Sequence, residues 1–127
     1  MEEKLISHLK DLGYTFDPVM DATLLEYCLD SVENKIKIKI NSNEIPEALE
    51  HVEIDMTCGE FLMMKKSMGQ LDPITTQSVI ETIKEGDTSI TYKNDGVMSP
   101  EKLFMDCINN MINGHDVEFI RYRKMVW

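Results

Sequence analysis

The sequence lacks most of the features that would announce a chemistry. Its three cysteines, Cys28, Cys58 and Cys107, form no CxxC pair and have no histidine at zinc-ligand spacing. This excludes a disulfide framework and a zinc finger, and the thiols read as reduced core residues of a cytosolic protein. The histidines, His8, His51 and His115, fall one per region, and each reads as a solvated surface side chain. Glycine-rich phosphate loops, the nucleophile elbow and HExxH are all missing. Gly86-Asp87-Thr88-Ser89 is a turn whose serine has no flanking residues to make it a nucleophile, and the acids are spread along helices instead of standing at calcium-loop spacing. The expectation is therefore no enzyme, no metal and no cofactor. No apolar run approaches the roughly 18 residues of a spanning helix, and Met1-Glu2-Glu3-Lys4 lacks the cationic start of a signal peptide. The sequence thus predicts a soluble, intracellular protein without a membrane part.

Positive charge is scarce too. Thirteen basic residues face 23 acidic ones, for a net charge of −10, which argues against a general binder of nucleic acid, since such binding is driven by cations neutralising phosphates. The shortage is uneven. Phe119–Trp127 hold both arginines, one lysine, the only tryptophan and no acid, which leaves residues 1–118 with ten basic against 23 acidic residues, a balance of −13. A basic, aromatic segment on an acidic body reads as a docking element. The other reading is that Phe119, Ile120 and Trp127 fold back onto the core. Ten methionines read as adaptable core filler.

One domain of mainly α class is expected, a small bundle of about four helices with an inserted β-hairpin and an extended C-terminal tail. Leu5, Ile6, Leu9 and Leu12 recur at helical spacing and Gly13 stands at a C-cap position. Asp17-Pro18 supplies an N-cap and a first-turn proline for a long helix whose stripe is Met20, Leu24, Cys28, Val32, Ile36 and Ile40. In Lys35-Ile36-Lys37-Ile38-Lys39-Ile40 only Ile38 falls off that stripe, and Asn41-Ser42-Asn43 is a turn. Ile45-Pro46-Glu47 opens a third helix, apolar over so much of its circumference that it should be central, with Gly59 marking a close helix-helix approach. Leu71–Gln77 reads as a loop. Val79–Ile83 and Thr88–Tyr92 are rich in β-branched residues and flank Glu85-Gly86-Asp87, which predicts a hairpin over about 79–92. Ser99-Pro100-Glu101 starts a fourth helix that stops at Gly114.

Three stretches carry a resemblance. Asn43-Glu44-Ile45-Pro46-Glu47-Ala48-Leu49-Glu50 leads into Val52-Glu53-Ile54-Asp55-Met56 and Gly59-Glu60-Phe61-Leu62, and together they resemble the central helix of the head-tail connector (adaptor) proteins of long-tailed bacteriophages and prophages. Ile80–Ile90 looks like the glycine-turned hairpin of those proteins, and Tyr122-Arg123-Lys124 with Trp127 is similar to their closing basic-aromatic segment. Met125-Val126 departs from the leucine and basic residue expected there. The resemblance implies a helical connector domain over residues 1–118 and a docking tail over 119–127. Subunits would self-associate into a ring, a dodecamer, beneath the portal protein, and link the capsid to a stopper or tail-completion protein. DNA would pass through the channel without sequence-specific binding. The tail residues Arg121, Tyr122, Arg123, Lys124 and Trp127 would bind the portal, and Lys84, Glu85, Gly86, Asp87 and Thr88 would lie near the channel or a neighbouring subunit. The implied location is the head-tail interface of the virion, assembled in the bacterial host cytoplasm. An alternative reading, from the −13 body, is a small acidic regulatory module that occupies a basic groove on a nucleic-acid-handling protein.

Overall fold

The computed structural model describes residues 1–86 and 100–123, with backbone alone at 83–86, 100 and 101. Every regular element among the described residues is helical: α1 (Glu2–Asp11), α2 (Ala22–Ile40), a 3-10 turn (Glu47–Leu49), α3 (Glu50–Ser67), α4 (Pro73–Gly86), α5 (Pro100–Asn113) and α6 (Asp116–Tyr122). The mainly α class holds, and the expected four helices become six among the described residues.

The centre is α3. Val52, Met56, Thr57, Cys58, Gly59, Phe61 and Leu62 are buried on nearly all sides of it, because α1, α2 and α5 surround it. The α2 stripe presents Leu25, Cys28, Val32, Ile36 and Ile40. One apolar cluster joins Leu5 and Leu9 of α1, Phe61 and Leu62 of α3, Val79 and Ile80 of α4, and Phe104 and Ile108 of α5. A second joins Val32, Ile36 and Ile40 to Leu49, Val52, Met56 and Phe119. Burying one such side chain contributes about 1.5–3 kcal/mol, so both clusters matter to stability. A Cβ on Gly59 would lie 3.0 Å from both Ile112 Cγ1 and Met111 Cβ, which is the close approach of α3 and α5 that the glycine signalled. Gly13 ends α1 at φ +96° with its N–H donating to Lys10 O at 2.9 Å and that of Tyr14 to Leu9 O at 2.9 Å, the hydrogen bonds of a left-handed C-terminal cap.

Three expectations need correction. The first strand of the hairpin, Val79–Ile83, is helical and lies within α4. Asp72 Oδ1 accepts the Thr75 N–H at 2.6 Å and Pro73 takes the first helical position, so a helix starts inside the presumed loop. Val79 and Ile80 are both fully buried, and packing against α1 and α5 overrides the strand preference of β-branched residues. The second strand, 88–92, lies outside the described residues. Next, Asp17 caps a turn and not α2: its Oδ1 accepts from Val19 N at 2.9 Å, α2 begins at Ala22, and Met20 is exposed instead of buried. Finally, the expected extended tail is helical to Tyr122, because Phe119 is drawn into the second apolar cluster.

Candidate functional site

The basic end of the molecule is built from two helices. Phe119 of α6 is buried against α2, which anchors the segment and turns its neighbours outward. Arg121 and Arg123 are exposed and Tyr122 is half-buried, packed beside the second apolar cluster. Lys124 and Trp127 lie outside the described residues. The structure thus brings together Arg121, Tyr122 and Arg123, and it adds residues that were not singled out for this role. Lys37, Ile38 and Lys39 end α2 alongside, and the Lys39 ammonium stands 5.8 Å from the Phe119 ring centre. A groove of about 330 Å³ runs between the helices, lined by Ile38, Lys39, Asp116, Phe119, Ile120 and Arg123. Of the hairpin residues, Lys84, Glu85 and Gly86 form the last turn of α4, while Asp87 and Thr88 lie outside the described residues.

Two charged clusters escaped sequence reading. The first buries Lys65 and Asp21, whose Nζ and Oδ1 are 2.8 Å apart. Lys65 also donates to Gln70 Oε1 at 2.7 Å, while Asp21 Oδ2 accepts from the Tyr14 hydroxyl at 2.7 Å and from Asp17 N at 3.0 Å. Burial drives the Asp21 carboxyl upward, but hydrogen bonds from Lys65 and Tyr14 outweigh it and hold the group below the usual carboxylate range.

The second cluster sets two histidines on one carboxylate. His115, between α5 and α6, places Nε2 2.9 Å from Asp55 Oδ2 and 3.0 Å from Met111 O. Both neighbours are acceptors, so Nε2 carries the proton. His8 Nε2 lies 3.6 Å from Asp55 Oδ1, too far for a hydrogen bond, and this buried nitrogen has no other partner among the described residues. The hydrogen bond to Asp55 raises the His115 pKa above its ordinary value against the opposing effect of burial. Burial alone would raise Asp55, but His115 and His8 hold it below the usual range. Neither histidine is the free surface group that was expected. His51 is exposed. Nothing local marks the pair, since His8 and His115 meet only through the packing of α1 and α5 on α3.

Beside these, Glu53 is buried on α3, and desolvation together with the Glu33 and Glu50 carboxylates pushes its pKa up to about 7. Cys28, Cys58 and Cys107 are buried. Burial raises the Cys28 thiol to about 12 and raises Cys58 as well, so both stay protonated and poorly nucleophilic near neutral pH. No group of His, Cys, Asp and Glu among the described residues is arranged to hold a metal ion, and no helix among them is long and apolar enough to cross a membrane. Comparison of the chain with protein-family models, curated proteins and solved structures finds no match.

Proposed function

We propose that the chain is a structural head-tail connector subunit. It forms a ring beneath the phage portal, extends the DNA channel and links the capsid to the stopper or tail. The observation that carries this reading is the exposed cationic pair Arg121 and Arg123, in the last turn of and just beyond a helix anchored by Phe119, on an otherwise acidic chain. It stands at the place where the connector resemblance calls for a portal-binding segment. A chain with such unlike ends can supply the two different patches that a heterologous ring requires. The ring is proposed as a dodecamer. Acidic residues facing its channel would repel DNA phosphates over about 8 Å at physiological salt and let the duplex slide. The role is architectural, not catalytic, and its setting is the head-tail interface of the virion.

The test is negative-stain microscopy of the protein alone and mixed with the portal of its phage or prophage. Rings on the portal are expected, and a protein that stays unattached at high concentration would overturn the reading. A monomer that instead captures one basic nucleic-acid-handling protein would support the acidic regulatory module. Deleting residues 119–127 would be a poor test, since it removes Phe119 from the core at a cost of about 3–5 kcal/mol. The sharper variant removes residues 124–127 and carries Arg121→Glu and Arg123→Glu. It should keep its helical circular dichroism and lose portal attachment.

A further inference from the structure

The Lys-Ile alternation at the end of α2 is more than the core requires. Ile36 and Ile40 are fully buried, while Ile38 between them is 78% exposed. Favourable interaction with the helix dipole accounts for Lys37 and Lys39 in the last turn, but nothing among the described residues accounts for an isoleucine held in water between them. On α6, Ile120 is likewise 74% exposed, and it lines the same groove as Ile38. The surrounding cations gather four to a patch without carboxylate partners, where Lys10 and Lys66 stand singly without one among the described residues. Lys4, Lys35 and Lys65 each meet a carboxylate, whereas Lys37, Lys39, Arg121 and Arg123 form no ion pair among the described residues. On a chain of net charge −10, such a cluster is a patch awaiting an acidic, partly aliphatic counterpart.

The other end of α2 has that composition. The turn Asp17-Pro18-Val19-Met20 precedes the helix, with Val19 89% and Met20 69% exposed. Glu26 is exposed one turn into the helix. The turn is stiffened by Pro18 and by Asp17 Oδ1, which accepts from the N–H groups of Val19 and Met20. The two patches lie at opposite ends of a 19-residue helix, about 28 Å long, and cannot meet within one molecule.

We propose that the groove between the end of α2 and α6 receives the Asp17–Met20 turn of a second copy of this chain, Val19 entering between Ile38 and Ile120. The contact is heterologous, so each copy offers one groove and one knob. Nucleic acid is a poor occupant, because a polyanion has no use for two isoleucines and is repelled by the body. This identifies the subunit contact of the proposed ring and rests on that reading only for its biological setting. Arg121 does not line the groove and stays available to the portal, while Arg123, which lines it, serves both contacts.

The experiment is sedimentation velocity at low salt with the full chain, its Val19→Asp and Ile38→Asp variants, and the two variants mixed. Both sites are exposed, so helical circular dichroism should be unchanged. Wild type should associate with rising concentration, and each variant alone should weaken association more than tenfold. The mixture should form heterodimers, because each variant keeps one intact face. Association that survives both substitutions would overturn the assignment of these faces while leaving the ring reading standing. A wild-type chain that is monomeric at every concentration overturns the self-contact, and portal attachment then decides separately whether the connector reading survives. Capture by the wild type, but not by Ile38→Asp, of single-stranded DNA or of another protein would give the groove to that occupant and also overturn the proposal.

Discussion

Helix α3 carries two charge pairs of opposite character. Lys65, in its last turn, is locked to Asp21 with side chains 7% and 3% exposed, and the groups have three further hydrogen-bonded neighbours in Tyr14, Gln70 and the Asp17 backbone N–H. Asp55 meets His115 with exposures of 31% and 14%, beside a His8 nitrogen that has no hydrogen-bond partner among the described residues. The first pair holds the Asp21 carboxyl below the usual carboxylate range and fixes the start of α2 and the loop after α3 to one end of the bundle. The second ties α3 to the α5–α6 junction with a strength that the solvent sets. A buried ion pair is hard to replace on one side only, while a titratable half-buried pair can be loosened by degrees.

The largest effect should come from breaking the first pair. Lys65→Ala leaves the Asp21 carboxylate buried without its cation and should cost about 3–5 kcal/mol in urea denaturation. The double variant Asp21→Asn with Lys65→Met should recover much of that loss, since it removes the stranded charge. A double variant no better than the single would show that the pair itself stabilises the fold. His115→Gln should cost about 1 kcal/mol at pH 5.5 and less at pH 8.5. The sign follows from the raised His115 pKa: its ionic contribution is complete below the unfolded value near 6.5 and fades as pH rises through the folded value. The lowered Asp55 pKa erodes the same contribution as pH falls from the ordinary value of 3.8 through the still lower folded value. A cost independent of pH would reduce the pair to simple packing. The smallest change is expected for His8→Gln, within about 0.5 kcal/mol, because its Nε2 makes no hydrogen bond that could be lost.

Local signals reached the helices but not their partners. The buried stripe of α2 and the central place of α3 follow from periodicity, and Gly59 announced the contact with Ile112. The two Asp-Pro steps show the limit. Asp17-Pro18 caps only a turn, whereas Asp72-Pro73, read as loop, starts a helix. The same dipeptide serves either purpose, and the packing of the downstream residues decides between them. Val79 and Ile80 are good strand formers that sit fully buried in α4, and Phe119 draws a basic segment back onto the body. At the candidate docking face, Arg121, Tyr122 and Arg123 were legible as charge and aromatic content. The contribution of Ile38 and Lys39 was not, because it depends on α6 returning to α2 across some eighty residues of chain.

The encirclement of α3 also bears on the order in which the chain can fold. Cys58 Sγ faces Leu5 O across 53 residues, on a side of the helix that can close early. The neighbouring face, at Gly59, about 100° further round the helix, waits for Ile112. During synthesis, which runs from the N-terminus, α3 would leave the ribosome with α1 and α2 ready to cover it and its α5 side bare. Residues 68–99 must emerge before that side can be sealed. The interval is when the chain is most open to aggregation, and a chaperone that binds apolar helices would have its clearest target there.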